Sequence, residues 1–409
     1  MRKPMHNRSA TLFVATALLA ACAGPRGPVV ENSPAPSSPD QVYRVYVGAE
    51  SADLVHLVRL GPDGLSVERT IPVGEIPVET EGPHGLATSP DGRHLYMTTA
   101  HGVPDGKLWK LETGSDTLVA SPILLGNFPA TLDLTPDGLY AFIVNFNLHG
   151  EHVPSTVSVV YTPNMVEVEQ IPTCTMPHGM RLSPDGLHAY SMCMMDDQLV
   201  EIDTRTFEVS RRFSVSKGHE MALHDYAEPE ILTGSRGMRS TPAGGGMAEM
   251  GGMDHDHQAM EPTCSPTWAQ PSPDGARIYV ACNRSNEILV IDREAWRLEG
   301  RFPAGAGPYN LDTTADGAVL VASLKGAGQV QFFDTETFES LAVLPSSTTV
   351  THGVAVTPDS RYAFVSVEGK GAEPGKVDVF DLRTLARIGS VEVGQQAGGI
   401  VFWKMEPAG

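Results

Sequence analysis

Short apolar stretches alternate with polar turns along most of the chain, and one pattern recurs six times. In each copy an apolar strand leads into a Ser/Thr-Pro-Asp-Gly-like turn, and a second apolar strand follows. The turns begin at Ser89, Thr135, Ser183, Ser272, Thr314 and Thr357. Proline presets φ and Asp-Gly supplies the geometry of a tight turn. The pattern therefore predicts six β-hairpins.

Each hairpin is followed by a third apolar strand, often ending in Asp, and by a fourth, as in residues 199–213 and 288–302. Four strands in a repeat of about 45 residues are typical of a propeller blade. Residues 43–70 supply three further strands that lack a first strand, and residues 398–405 supply a first strand without successors. The sequence therefore predicts an all-β fold over residues 42–405. It is a seven-bladed β-propeller of four-stranded antiparallel blades, whose N- and C-terminal strands share one blade and close the ring.

One interval between turns is anomalous. Successive turns lie 42 to 48 residues apart, but Ser183 and Ser272 are separated by 89 residues. Residues 219–263 are therefore additional. They could form a degenerate eighth blade, but their Gly- and Met-rich centre lacks strand patterning. We expect an inserted loop between blades four and five.

The recurring pattern resembles the YVTN-type β-propeller repeats of bacterial surface and periplasmic proteins, and the YncE-like group in particular. The resemblance covers residues 42–405 and places the chain among WD40/YVTN-like repeat proteins. It implies the propeller fold, but it says little about function because one fold can carry many unrelated sites.

The N-terminal segment has the features of an export signal. Arg2, Lys3 and Arg8 precede an uncharged apolar run at residues 11–21, which is shorter than the roughly 18 residues that a membrane span requires. Residues 1–21 are therefore predicted to be a signal peptide. The Pro- and Ser-rich residues 22–41 are expected to be a flexible tether.

The signal ends in Leu-Ala-Ala-Cys, which resembles the bacterial lipobox. This resemblance implies lipidation at Cys22, and ordinary cleavage that discards Cys22 is the alternative. Ala23 is not the Asp that is associated with retention in the inner membrane. We therefore expect a lipoprotein of the bacterial cell envelope, in the outer membrane, that faces the periplasm or the exterior. Its membrane contact would be the lipid anchor only.

Charge narrows the range of partners. The chain carries 29 Lys and Arg against 49 Asp and Glu, a formal net charge of −20. Such a chain repels phosphate backbones, which excludes nucleic acid as an expected partner. Cations are better candidates than anions.

Propeller geometry places most of the histidines on one face. Residues before a first strand, after a second strand and between blades share one mouth of the channel. Lys is nearly absent from these segments. Ten of the 14 histidines fall there, namely His84, His101, His149, His152, His178, His219, His224, His255, His257 and His352. We interpret this mouth as the functional face.

Three of these histidines share one position in the repeat. Five residues before the turn, the blades carry Gly398, His84, Ala130, His178, Thr267, Tyr309 and His352. That position points into the channel, so His84, His178 and His352 could converge on a metal ion and leave one coordination position open. The alternative is that Pro-His-Gly is a turn preference of the repeat and that the imidazoles are solvated.

The inserted loop adds soft metal donors. Within 14 residues it contains Met247, Met250, Met253, His255, His257 and Met260. Thioether sulfur and imidazole together favour copper over zinc or calcium. An acidic linker with incidental Met and His is the alternative.

Cys174, Cys193, Cys264 and Cys282 remain after the signal. Cys174 and Cys193 flank one hairpin turn, and Cys264 and Cys282 flank the next. In an exported protein this spacing favours two disulfides within blades four and five, although four cysteines allow three pairings. Thiolate coordination of a metal beside His178 is the alternative.

These features favour an exported propeller that binds a metal ion, copper before zinc, together with a small molecule or an envelope protein at one mouth. A metal-dependent enzyme, either an oxidase or a lactonase-like hydrolase, is a second hypothesis. A metal-free protein-interaction scaffold is a third.

Overall fold

The predicted hairpins are present in the computed structural model, which describes residues 38–76, 78–101, 105–224 and 262–408. In the first hairpin Ser89 Oγ donates to Asp91 Oδ1 at 2.6 Å, and the same oxygen accepts the Arg93 N–H at 3.0 Å. Gly92 completes the turn at a φ of +68°. The Ser-Pro-Asp-Gly motif therefore fixes the turn through its own side chains.

The strands form seven antiparallel sheets, one for each predicted blade. A single 3-10 helix, Glu50–Ala52, is the only helix in the described part of the chain. Blade one contains β1 (Gln41–Ala49), β2 (Leu54–Gly61), β3 (Gly64–Pro72) and, innermost, β29 (Ala397–Pro407). Blade two contains β4 (Pro83–Thr88), β5 (His94–Thr99), β6 (Lys107–Glu112) and β7 (Thr117–Leu124). Blade three contains β8 (Pro129–Leu134), β9 (Tyr140–Asn145), β10 (Pro154–Tyr161) and β11 (Val166–Thr175). Blade four contains β12 (Pro177–Leu182), β13 (His188–Cys193), β14 (Gln198–Asp203), β15 (Glu208–Ser214) and β16 (Met221–Leu223).

The remaining three blades each have four strands. Blade five contains β17 (Pro266–Pro271), β18 (Arg277–Cys282), β19 (Glu287–Asp292) and β20 (Arg297–Pro303). Blade six contains β21 (Pro308–Thr313), β22 (Val319–Leu324), β23 (Gln329–Asp334) and β24 (Ser340–Pro345). Blade seven contains β25 (Thr351–Val356), β26 (Tyr362–Val367), β27 (Lys376–Asp381) and β28 (Ala386–Glu392).

The two ends of the propeller sequence share blade one, as predicted. β1 pairs antiparallel with β2 on one side and with β29 on the other, and Tyr43 lies opposite Met405. The innermost strands pack against one another in a closed cycle around the axis, in the order β29, β4, β8, β12, β17, β21, β25 and again β29. The seven-bladed ring is therefore confirmed.

The core lies between neighbouring blades. Phe142 and Val159 of blade three, for example, pack in one cluster with Ala189 and Val200 of blade four, and all four are fully buried. The outermost strands alternate instead between half-buried and exposed residues, as β3 does along its whole length. Such alternation is expected of a strand with one face toward the core and one toward water.

Near the axis the inner strands approach closely enough to require glycine. A Cβ on Gly399 of β29 would lie 1.9 Å from the carbonyl oxygen of His84 on β4. Side-chain hydroxyls also join the blades here. Thr98 Oγ1 accepts the Gly85 N–H at 2.8 Å and donates to the Ala130 carbonyl of the next blade at 3.2 Å.

A residue in the left-handed region holds the chain where it enters the following blade. Asp197, with a φ of +49°, accepts the backbone N–H groups of Thr263 at 2.6 Å, Cys264 at 3.2 Å and Ser265 at 2.8 Å. Its Oδ2 also accepts the Thr263 hydroxyl at 2.9 Å. Asp53 accepts the N–H groups of Glu81 and Gly82 in the same way after blade one. These carboxylates fix the start of the next inner strand.

Blade four differs from the predicted four strands. β16, within the predicted inserted loop, pairs with the outer edge of β15, and Met221 lies opposite Ser214. Glu220 forms an ion pair with Arg301 of β20 in blade five. A three-residue strand is too short to show alternation in the sequence, and the free edge of β15 supplies its hydrogen-bonding partners.

The cysteines are joined in the two favoured pairs, Cys174 to Cys193 and Cys264 to Cys282. The first bond departs from the expected within-blade location, because Cys174 lies on β11 of blade three. It therefore links blades three and four. The second bond lies within blade five. It joins Cys264, just before β17, with Cys282 at the end of β18.

The predicted signal peptide, Cys22 and the soft donors of the inserted loop, including His255 and His257, lie outside the described residues. Among the residues that are described, none of the helices combines the length and hydropathy that a membrane crossing needs.

Candidate functional site at the histidine mouth

The seven aligned positions occupy one level of the channel. Each is the second residue of the innermost strand of its blade: Gly398, His84, Ala130, His178, Thr267, Tyr309 and His352. The three histidines are buried, with exposed fractions of 7% for His84, 1% for His178 and 7% for His352. We call the surroundings of this level the histidine mouth.

The three imidazoles are connected in a row that includes Tyr309. The rings of His84 and His352 are 5.8 Å apart between centroids, His352 and Tyr309 are 4.7 Å apart, and Tyr309 and His178 are 5.4 Å apart. His178 is thus separated from the other two by a phenol ring. Within residues 38–76, 78–101, 105–224 and 262–408, no three or more His, Cys, Asp or Glu side chains are grouped so as to hold a metal ion.

Both nitrogens of His178 have partners. Nδ1 lies 2.8 Å from the Thr267 carbonyl oxygen, and Nε2 lies 3.1 Å from the Tyr309 hydroxyl. Burial lowers the pKa of His178 to about 3, with smaller contributions from His84 and Lys325. We assign a neutral ring in which Nδ1–H donates to Thr267 and Nε2 accepts from Tyr309, because this tautomer satisfies both contacts.

His352 has an unpartnered nitrogen. Its Nδ1 is buried and has no hydrogen-bond partner among the residues that the structure describes, while its Nε2 lies 3.6 Å from Glu368 Oε1. Burial and the charge of Lys325 hold the pKa of His352 well below its usual range. The ring is therefore neutral at pH 7 and retains a free buried nitrogen. Such a nitrogen carries a desolvation cost that a bound ligand would relieve.

Glu50 is a central residue of the site that the sequence did not indicate. It lies on the 3-10 helix after β1, is 3% exposed, and its Oε2 lies 3.0 Å from His84 Nδ1. Its Oε1 lies 2.5 Å from His101 Nε2. Burial would raise the pKa of Glu50, but His84 and His101 outweigh burial and lower it strongly. The carboxylate is therefore ionised between two imidazoles.

Lys325 is an exception to the expected absence of lysine from this face. Its Nζ lies 2.8 Å from Glu368 Oε1 and 4.3 Å from the centroid of the Tyr309 ring. Burial opposes its charge, but Tyr309 and Glu368 outweigh burial and raise the pKa of Lys325. Lys325 and Glu368 each directly follow the second strand of a blade. The sequence position that placed the histidines at this mouth could therefore also have identified this pair.

Two further predicted histidines lie at the rim of the mouth. His101 Nδ1 and His149 Nε2 are 3.1 Å apart. The Phe128 ring contacts both edge-on, with centroid distances of 5.1 Å to His101 and 5.3 Å to His149. His149 is exposed. The contacts therefore continue from the surface through His101 and Glu50 to His84.

A cavity lies in the channel beside His84 and His352. Its lining also includes Thr131, Arg181, Trp268 and Asn310. The Arg181 guanidinium lies 4.4 Å from the centroid of a Trp268 ring, and Trp268 Nε1 is buried without a partner in the described part of the chain. The cavity has about 30 Å³ of space, so Arg181 could contact a molecule of about the size of water there.

The low pKa of His178 predicts a loss of stability in acid. Its pKa is about 3 in the folded protein against an ordinary value of 6.5, so between these values the unfolded chain binds the extra proton. The stabilisation is complete above pH 6.5 and falls as the pH drops toward 3, by about 3 kcal/mol at pH 4.5. His178→Gln removes this pH-dependent contribution to stability.

Urea unfolding of both proteins at pH 6.5, 5.5 and 4.5 tests this expectation. The free energy of unfolding of the native sequence should fall more steeply than that of His178→Gln. Glu50 does not confuse the comparison, because both proteins carry it and both lose the stability that its lowered pKa contributes as the pH falls through the carboxyl range. Parallel curves would show that His178 is protonated to the same extent in both states.

Comparison with known proteins supports the fold and not a family. No protein-family model matches the chain, and no curated protein matches its sequence. Among solved structures, the chain is similar to hydrazine synthase from Kuenenia stuttgartiensis, with a TM-score of 0.58 and 17% sequence identity. The match covers 80% of this chain and 93% of that one. At this identity the similarity concerns the propeller architecture alone.

Proposed function

We propose that this protein is an exported β-propeller of the YVTN type that binds a metal ion, copper before zinc, at the histidine mouth. The proposal includes the lipid anchor at Cys22 and a location in the bacterial outer membrane. The recurring turn motif supports the YVTN type. The Leu-Ala-Ala-Cys sequence supports the lipid anchor, and Ala23 supports the outer membrane.

The observation that carries the metal proposal is the state of His352. A neutral imidazole with an unpartnered nitrogen is the form of histidine that binds a metal, because coordination uses the nitrogen lone pair. His352 has this nitrogen at a buried position, with His84 as its ring neighbour and an ionised Glu50 beyond it. Imidazole ligands suit copper and zinc alike.

His178 takes a different role in this proposal. Its two hydrogen bonds occupy both nitrogens, so it orients Tyr309 beside His352 and does not itself coordinate. Ligation by His84 and His352 is then completed by water or by donors from the inserted loop. The contributions of Met247, Met250, Met253 and Met260 remain a prediction, and they are the reason to favour copper.

The cavity beside the histidines favours a small polar molecule as a second ligand. Arg181 and Trp268 line it, and its space of about 30 Å³ suits a molecule of about the size of water. An oxidase or a lactonase-like hydrolase would place its substrate there, and a protein-interaction scaffold would leave both positions unused. These remain the alternative functions.

Metal content tests the proposal. The full chain would be purified without an affinity tag from the membrane fraction, and its copper and zinc would be measured by elemental mass spectrometry. We expect about one tightly bound copper ion per chain after purification, and at least a tenfold loss of copper affinity in His352→Ala. His94→Ala is the matched control, because His94 starts β5 at the opposite face. Equal copper binding by the two variants would overturn the assignment.

A further inference from the structure

The contact between His101 and His149 is not explained by the inner site. Their facing nitrogens, Nδ1 of His101 and Nε2 of His149, are 3.1 Å apart. Two imidazoles can share a proton at this distance. They can also share a metal ion, since metal–nitrogen bonds of about 2.0–2.1 Å at tetrahedral angles separate two ligand nitrogens by about 3.3 Å.

Glu50 orients His101 for this second role. The Nε2–H of His101 donates to Glu50 Oε1 at 2.5 Å, which leaves a lone pair on Nδ1, the atom that faces His149. A carboxylate behind a ligating imidazole is the usual arrangement at metal centres, because it fixes the tautomer and raises the basicity of the ligand. His84 holds the other oxygen of Glu50 at 3.0 Å, so the carboxylate is anchored from both sides.

The packing and the exposure of His101 and His149 are also compatible with a metal ion that binds from solvent. Phe128 contacts both rings edge-on and restrains their orientation. The His101 side chain is 28% exposed and His149 is exposed. An ion can therefore reach the pair from solvent without any movement of the blades.

We propose that His101 and His149 bind a first-row transition-metal ion, Cu²⁺ or Zn²⁺, at the rim of the channel, with Glu50 as the positioning residue for His101. Water completes the coordination, which makes the ion exchangeable. The site uses neither His352 nor His178, so it goes beyond the inner site proposed above.

Copper titration of the full chain tests the rim site. The background carries His255→Ala, His257→Ala and His352→Ala, which removes two imidazoles of the inserted loop and one of the two proposed inner ligands, and leaves His84 in place to hold Glu50. With Cu²⁺ as the probe, we expect electron paramagnetic resonance to show hyperfine coupling from two nitrogens. His149→Ala should weaken binding at least tenfold and remove the coupling of one nitrogen. The control His152→Ala, an exposed residue that follows three positions later, should leave both measurements unchanged.

Glu50→Gln tests whether Glu50 positions His101 for metal binding or only contributes to the stability of the fold. It should lower copper affinity ten- to a hundredfold, the range found for carboxylates behind metal ligands, and a melting curve in the absence of metal would measure its structural cost independently. Unchanged affinity in His149→Ala, or an equal loss in His152→Ala, would overturn the rim site. The inner proposal fails by a separate result, namely unchanged copper in His352→Ala with the other residues intact.

Discussion

Gly399→Ala is expected to destabilise the propeller by about 3 kcal/mol or more, the upper range for adding a methyl group to a close-packed position. The new Cβ would lie 1.9 Å from the carbonyl oxygen of His84. Neither partner can turn aside, because one atom belongs to the backbone of β4 and the other to an inner strand of blade one. The clash can therefore be relieved only if blades one and two move apart at the axis.

Gly398→Ala is the matched control for this experiment. The nearest atoms to its added Cβ are Glu50 Oε2 at 3.6 Å and, both at 3.9 Å, the Gln396 carbonyl oxygen and His352 Cε1, all at ordinary contact distances. Chemical denaturation of the two variants should show a loss below about 1 kcal/mol for Gly398→Ala. Similar losses at both positions would mean that the close approach of β29 to β4 does not limit stability.

Asp197→Ala is expected to cost about 3 kcal/mol. It removes the acceptor for the N–H groups of Thr263, Cys264 and Ser265, and a buried donor left unsatisfied costs about 1–3 kcal/mol. Alanine is also less tolerant than aspartate of the left-handed backbone, where Asp197 has a φ of +49°. The start of β17 would lose its fixed position.

Asp197→Asn distinguishes these contributions. Asparagine tolerates the left-handed region and keeps one carbonyl acceptor, so it should lose less stability than alanine. Guanidinium unfolding of the three proteins, with both disulfides intact, provides the comparison. An alanine variant as stable as the asparagine variant would contradict the role assigned to the carboxylate.

The fold was predictable because its signals are local and repeated. Each Ser/Thr-Pro-Asp-Gly motif determines its own turn through contacts such as Ser89 to Asp91, and six such turns leave few alternatives to a ring of blades. The level of the channel occupied by His84, His178 and His352 followed from the same repeat. The blade to which Cys174 belongs was assigned wrongly because β11 continues farther than the spacing of the turns suggests.

The chemistry of the mouth was less predictable because it depends on side-chain contacts between different blades, which the repeat pattern does not specify. Glu50 lies in a short helix after β1 and has no motif of its own, yet the position of blade one beside blade two places it between His84 and His101. The partners of His178, Thr267 and Tyr309, come from blades five and six. A repeat pattern gives the level of each residue in the channel, but it does not give rotamers or the pairs of side chains that meet across the axis.

The pairing of β1 with β29 also sets an order of events during folding. Arg44 on β1 and Glu406 on β29 form an ion pair across a sequence separation of 362 positions, whereas blades two to seven pair strands that are neighbours in sequence. Contacts of such long range form slowly because a large loop must close first. Until β29 arrives, β1 presents an unpaired edge of the kind that recruits strands from other chains. Aggregation should therefore compete with folding mainly at this last step.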